Sequence, residues 1–194
     1  MSERNGAPRT AGRAERSERD VRRLVGLAQR GDRRALEELY LLHFDRIYGY
    51  LHVSVSNRHD AEDLTNQTFI RMLESIDRFV WRSVPFSAWL FRIAHNLAMD
   101  HFRANRRWQP EEEVPETVQG EESSAEEQAL VSLGQTSMMT LIERLSPEQR
   151  QVLTLKFVFR FSNAEAAAIL GKSEGAVKSL QHRALASLQK HVTR

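Results

Sequence analysis

The chain has 194 residues, with 28 Lys and Arg against 26 Asp and Glu, 41% hydrophobic residues and no cysteine. That composition suits one domain or two small ones of ordinary soluble character. The lack of cysteine excludes a disulfide framework, a thiol nucleophile and any thiolate metal site, and it fits a reducing cytoplasm.

Residues 1–17 carry Ser, Arg, Gly and Pro without hydrophobic period and read as a disordered tail. No apolar run follows the Arg-rich N-terminus, so it is not a secretory signal, and no stretch approaches the roughly 20 residues that cross a bilayer. Ser17 is placed to cap a first helix that runs to Arg30 and stops at Gly31. Asp32 is placed to cap a second, to about Val53, with Leu36, Leu39, Tyr40, Ile47 and Leu51 at near-helical spacing. Asp60 reads as the cap of a third helix, to about Ile76, with Leu64, Phe69, Met72, Leu73 and Ile76 as its apolar positions. After Pro85 a fourth runs from about Phe86 to Arg107, with Leu90, Ile93, Ala94 and Leu97 as its buried stripe.

The segment 109–123 has Pro110, Pro115, Gly120 and no period, and it reads as a flexible acidic linker. Eight glutamates and no basic residue lie between Gln109 and Gln128, whereas Arg144 to Arg194 carries nine basic and three acidic residues. Basic-leaning blocks on either side of an acidic spacer point to a polyanion binder. Three Ser-x-x-Glu/Gln boxes, at Ser124, Ser146 and Ser162, delimit helices of roughly 125–144, 147–159 and 163–170, and a last helix runs from Ser173 or Glu174 to about His191. No strand or internal repeat appears. The fold class is all-α: residues 18–108 and 124–194 form two small helical domains on either side of the linker.

Asn163 to Gln181 reads as a helix-turn-helix. Ala166 and Ala167 allow a close helix crossing, Gly171 supplies the left-handed turn, and Val177, Leu180 and Ala184 bury one face of the second helix. Ser173, Glu174, Lys178, Ser179, Gln181, His182 and Arg183 are then candidates to meet phosphates and base edges in a major groove. A generic helical hairpin with a solvated face is the plain alternative.

Two further constellations lie upstream. On the third helix Asp60, Glu62, Asp63, Asn66 and Gln67 make a polar surface next to Phe69. On the fourth, Phe86, Trp89, Arg92, Asn96, Asp100, Arg103, Arg106 and Arg107 fall along neighbouring stripes. An aromatic, an amide and several arginines together suit single-stranded DNA. Composition alone does not separate that reading from a core aromatic beneath a solvated face.

These blocks resemble the extracytoplasmic-function group of bacterial RNA polymerase sigma factors. Asp60 to Phe69 is similar to region 2.2, which binds the clamp helices of the polymerase beta-prime subunit. Phe86 to Arg107 is similar to regions 2.3 and 2.4, which melt and read the −10 promoter element. Leu145 to Gln189 is similar to region 4, which reads the −35 element and touches the beta flap. The resemblance implies that Asp60, Glu62, Asp63, Asn66, Gln67 and Phe69 contact polymerase. It also implies that Asn96 lines the pocket of a flipped −10 base, with Phe86 and Trp89 shaping that pocket. Lys178, His182 and Arg183 match polar positions of the −35 recognition helix. The pair Leu180 and Gln181 reverses the family's usual order, and Lys172 stands at a usually apolar turn position. A cytoplasmic, non-enzymatic initiation factor follows, with core polymerase, promoter DNA and an anti-sigma factor as partners and no cofactor.

Other classes find less support. A response regulator would need a receiver domain with a parallel sheet. The seven histidines include no i, i+4 pair for a metal, and no glycine-rich phosphate loop is present. His95 and His101 read as surface or DNA-adjacent residues.

Overall fold

The computed structural model describes residues 18–55, 57–81, 84–105 and 145–192. The tail, the acidic linker and the helix anticipated over 125–144 lie outside the described residues, as do Arg106 and Arg107.

Helix α1, Glu18–Ala28, buries Leu24, Val25 and Ala28. Gly31 turns the chain with a φ of 84°, open to glycine without steric cost. Asp32 then accepts from the Ala35 backbone N–H at 3.1 Å, capping α2, Arg33–Val55. Near its C-terminus α2 buries Tyr50, Leu51, Val53, Ser54 and Val55, so neighbours cover it on more than one side. Helix α3, Arg58–Ser75, is capped by Asn57, whose side chain accepts from the Asp60 N–H at 3.2 Å. Asp60 is therefore a first-turn residue and not the cap, because Asn57 lies one turn earlier in extended geometry. Buried Thr65 and Thr68 satisfy their hydroxyls on the Ala61 and Leu64 carbonyls.

A 3₁₀ turn, Ile76–Arg78, leads towards α4, Phe86–Ala104. The buried stripe of α4 is broader than its aliphatic period implies. It includes Phe86, Ala88, Leu90, Phe91, Ala94, His95, Ala98, Met99 and Phe102, while Ile93 and Leu97 are only half-buried. Two residues assigned to the core by spacing are surface residues: Leu73 is 53% exposed and Tyr40 36%.

In the C-terminal half Ser146 caps α5, Pro147–Leu153, with Pro147 at its head. The helix does not continue regularly to residue 159. A π turn spans Thr154–Val158, and Arg160 then takes a left-handed φ of 59°. The Ser162–Glu165 capping box starts α6, Asn163–Leu170, and Gly171 ends it at φ 66°. Helix α7 follows as Glu174–Val192.

The two halves share one buried core. Helix α4 packs on α6, and α2 packs on α5. The π turn and the left-handed Arg160 swing Phe159 and Phe161 onto Phe91, each with ring centroids 5.0 Å away. The Arg46 guanidinium lies 5.6 to 5.7 Å from all three rings and donates to the Phe159 carbonyl at 3.3 Å. Arg150 donates to the Val53 and Ser54 carbonyls at 3.1 and 3.3 Å, in the last turn of α2 where the helix dipole favours a cation. Arg46→Ala should cost about 1–3 kcal/mol in thermal unfolding, from the lost cation–π contacts and a carbonyl left without its donor. It should also enlarge the radius of gyration in small-angle scattering with helix content retained. An unchanged scattering profile would show that Arg46 does not hold the halves together.

Candidate nucleic-acid and partner interfaces

Helical periodicity splits α4 into two working faces. While Phe91, Ala94, His95 and Ala98 point inward, Arg92, Asn96, Asp100 and Arg103 are exposed, and half-buried Trp89 heads the same outer stripe. Arg103 donates to Asp100 at 3.0 Å, and both side chains are well exposed. Such a pair is worth little and can exchange for a phosphate.

Phe86 is fully buried, stacked on His43 at 5.4 Å and beside Phe79 and Trp89. It supports Trp89 from below and is closed off from the surface, because His43, Phe79 and Trp89 pack around it. The aromatic cluster also contains Phe79 and Trp81, which the sequence reading passed over. They lie outside any regular helix, where no period could flag them.

His95 is likewise buried and not at the surface, because it faces Tyr50 of α2 in the core. Its Nδ1 and the Tyr50 hydroxyl share a hydrogen bond of 3.1 Å in the core. Burial, reinforced by Lys172, Arg103 and Arg92, pushes the His95 pKa down to about 4. Burial and Arg46 do the same for His43, also to about 4. His101 is half-buried and faces Asp60 at 3.4 Å, which ties α3 to α4 and draws Asp60 away from an outward contact.

On α3, Asp63, Asn66 and Gln67 are exposed. Glu62 pairs with Arg58 at 2.8 Å, and this bond lowers the carboxyl's pKa. Phe69 is buried, with the Tyr40 ring tilted against it at 4.7 Å, so it shapes the surface from beneath. Ile70 and Leu73, both 53% exposed, continue the Asp63–Asn66–Gln67 stripe at helical spacing. These aliphatics sit in phase with the polar stripe and out of phase with Thr65, Thr68 and Met72. That phase was readable in the sequence, and it makes the outer face of α3 a mixed polar and apolar surface.

Ala166 and Ala167 are buried in α6, as are Val177, Leu180 and Ala184 in α7. Ser173 accepts from the Ala176 N–H at 3.1 Å at the head of α7. Glu174, Lys178 and His182 form an exposed stripe, with half-buried Gln181 and Ser179 at its margins. Arg183 stands five residues beyond Lys178, about 140° around the helix, and is half-buried, so it leaves that stripe. Lys172 reaches Glu148 at 3.5 Å, so its charge at the turn is used to fasten α5. Among the described residues no cluster of His, Asp and Glu could hold a metal, and no helix is long and apolar enough to cross a membrane.

The Sigma-70 region 2 family matches residues 39–108, and the Sigma-70 region 4 family matches residues 135–188. The extracytoplasmic-function (ECF) sigma factor SigD of Mycobacterium tuberculosis is 32% identical over 175 residues, covering 87% of this chain and 82% of SigD. The chain belongs to the ECF family of RNA polymerase sigma factors. This sigma factor is also 39% identical to the ECF sigma factor BldN of Streptomyces coelicolor over 167 residues, covering 85% of this chain and 63% of BldN. Its fold is similar to that of CnrH in complex with the cytosolic domain of CnrY, with a TM-score of 0.65 at 26% identity over 89% of this chain and 96% of CnrH. It is also similar to the sigma factor RpoE in complex with the anti-sigma factor NepR from Bartonella quintana, with a TM-score of 0.61 at 25% identity over 81% of this chain and 96% of that one.

The buried histidines give the sigma factor a defined acid sensitivity. Both are neutral when folded, and the unfolded chain takes up their protons near pH 6.5. Their contribution is complete above about pH 6.5 and is lost as the pH falls towards about 4. Each should remove up to about 1.4 kcal/mol per pH unit within that window. Thermal melts at pH 7.5 and 5.0 should differ accordingly, and His95→Gln should flatten the difference by about half.

Proposed function

We propose that this chain acts as an alternative sigma factor that joins core RNA polymerase and directs promoter-specific initiation, with no catalytic chemistry of its own. In this reading the outer face of α3 docks on the polymerase beta-prime clamp helices. The outer stripe of α4 opens and reads the −10 element, and the Glu174–Lys178–His182 stripe of α7 reads the −35 element. The observation that carries it is the division of α4: an exposed Arg92–Asn96–Arg103 stripe headed by half-buried Trp89, on a helix whose other face is buried core. Stacking group, amide and phosphate-binding cations are thereby held on a rigid element. The protein would work in the cytoplasm, beside the polymerase. An anti-sigma factor is a fitting further partner, since the similar sigma factor RpoE was captured with the anti-sigma factor NepR.

The promoter elements named −10 and −35 lie roughly 25 base pairs apart, or about 85 Å at ~3.4 Å per pair. Packed helices have axes only about 8–10 Å apart. Helix α4 packs on α6 and α6 on α7, so both stripes belong to one packed body. Both elements can be engaged together only after the halves part. The 39 residues from 106 to 144 could span at most about 130 Å, which is ample.

Two experiments test the assignment. Asp63→Lys combined with Gln67→Ala should weaken association with core polymerase at least tenfold while shifting stability by no more than about 0.5 kcal/mol. Undiminished co-purification with core would remove the basis for placing the clamp contact on α3. For promoter reading, Asn96→Ala should cost about 1–3 kcal/mol at a single −10 position and flatten preference there. Arg103→Ala should instead lower activity on every sequence alike and reduce the salt slope by about one unit. A panel of −10 variants transcribed at fixed salt separates the two. A preference profile untouched by Asn96→Ala would make Asn96 an ordinary surface residue.

A further inference from the structure

Helix α1 precedes both matched segments, the first of which begins at residue 39. Nothing in its sequence signals contact with a nucleic acid. Yet Gln29, just past its end, reaches almost fifty residues along the chain: Nε2 donates to the Ile76 carbonyl at 2.9 Å and to the Phe79 carbonyl at 2.7 Å. Two turns earlier on the same face, the Arg22 guanidinium lies 4.5 Å over the Trp81 ring. Both hydrogens of one amide nitrogen and one cation–π contact thus fasten the short segment Ile76–Trp81 to α1, through Ile76, Phe79 and Trp81.

That segment abuts the outer stripe of α4. The Phe79 ring lies 5.2 Å from Trp81, 5.4 Å from Phe86 and 5.0 Å from Trp89, the residue that heads the stripe carrying Arg92 and Asn96. Between the anchored Phe79 and Trp81, Val80 is 63% exposed, the most exposed large hydrophobic residue among those described. An aliphatic side chain held rigidly beside an aromatic can wedge between base steps and unstack them. Holding it before DNA arrives removes the ordering cost from the opening step.

We infer that Gln29 is a positioning residue for promoter opening, fixing Phe79–Trp81 so that Val80 and Trp89 meet the duplex next to Asn96. The inference rests on the assignment of the α4 stripe to the −10 element. The amide is specific to the task. A glutamate of the same length has no hydrogen to donate at neutral pH and would set a carboxylate against two carbonyl oxygens. A role in filling space alone would tolerate it.

The test is transcription by core polymerase reconstituted with each full-length variant, at a promoter mapped by run-off transcription. Two templates are compared: the intact duplex, and the same promoter with its −10 region already opened by mismatches. Gln29→Ala and Gln29→Glu should each lose at least tenfold on the duplex and stay within twofold of the unmodified protein on the pre-opened template, with core binding unchanged. Val80→Ser, at an exposed position that cannot endanger the fold, should share the duplex-only defect. Equal losses on both templates, or full duplex activity in Gln29→Glu or Val80→Ser, would overturn the inference. Asn96→Ala separates its failure from that of the reading beneath it. If Asn96→Ala alters −10 preference while the Gln29 variants behave normally, only the positioning role fails. If Asn96→Ala also leaves preference intact, the −10 assignment falls with it.

Discussion

Helix α4 has to bury one face completely, and almost everything else in the molecule follows from how that is done. With 3.6 residues per turn, a helix that turns Phe91, Ala94, His95 and Ala98 inward must turn Arg92, Asn96 and Arg103 outward. The inner face is wide enough that α2 and α3 cover only part of it, and α6 of the other half covers more. The same packing that orients the outer stripe therefore brings the C-terminal half onto the N-terminal one. Burying this apolar surface is the dominant favourable term, and the charged and amide groups are left on the face that water, or DNA, can reach.

The contact between the halves has polar conditions attached. Arg46 sits among three phenylalanine rings, and its cost of desolvation is offset by the ring quadrupoles and the Phe159 carbonyl. Burial leaves Tyr50 firmly protonated and His43 and His95 neutral. Gln151, in the helix that packs on both α2 and α7, is fully buried with no hydrogen-bond partner for its side-chain amide among the described residues. An unpaired buried amide costs about 1–3 kcal/mol.

Much of the architecture was legible in the residues. The α2 cap at Asp32, the capping box at Ser162, the glycine stops at Gly31 and Gly171 and the helix-turn-helix are local patterns. Each is decided by atoms within about one turn of the residue concerned. The outer stripe of α4 was legible for the same reason, since polar residues at spacings of three and four share a face wherever the helix is placed. The exposed pair Ile70 and Leu73 was in principle legible too, being in phase with Asp63 and Gln67. It was masked by the expectation that every aliphatic residue of an amphipathic helix goes inside.

What the tertiary structure alone decided are the relations between segments distant in sequence. Phe86 lies against His43 and Phe79, and His95 against Tyr50, though neither neighbourhood is written in the helix period. Asp60 leans on His101, Phe159 closes on Phe91, and Gln29 holds the carbonyls before α4, across separations of about forty to seventy residues. Periodicity records which side of a helix is apolar but not which element covers it. A hydrogen bond from one side chain to two remote backbone carbonyls leaves no pattern in composition or spacing. The sequence by itself determined the helices, their caps and the chemistry on each face; which faces meet was decided only when distant segments competed to bury the same apolar surface.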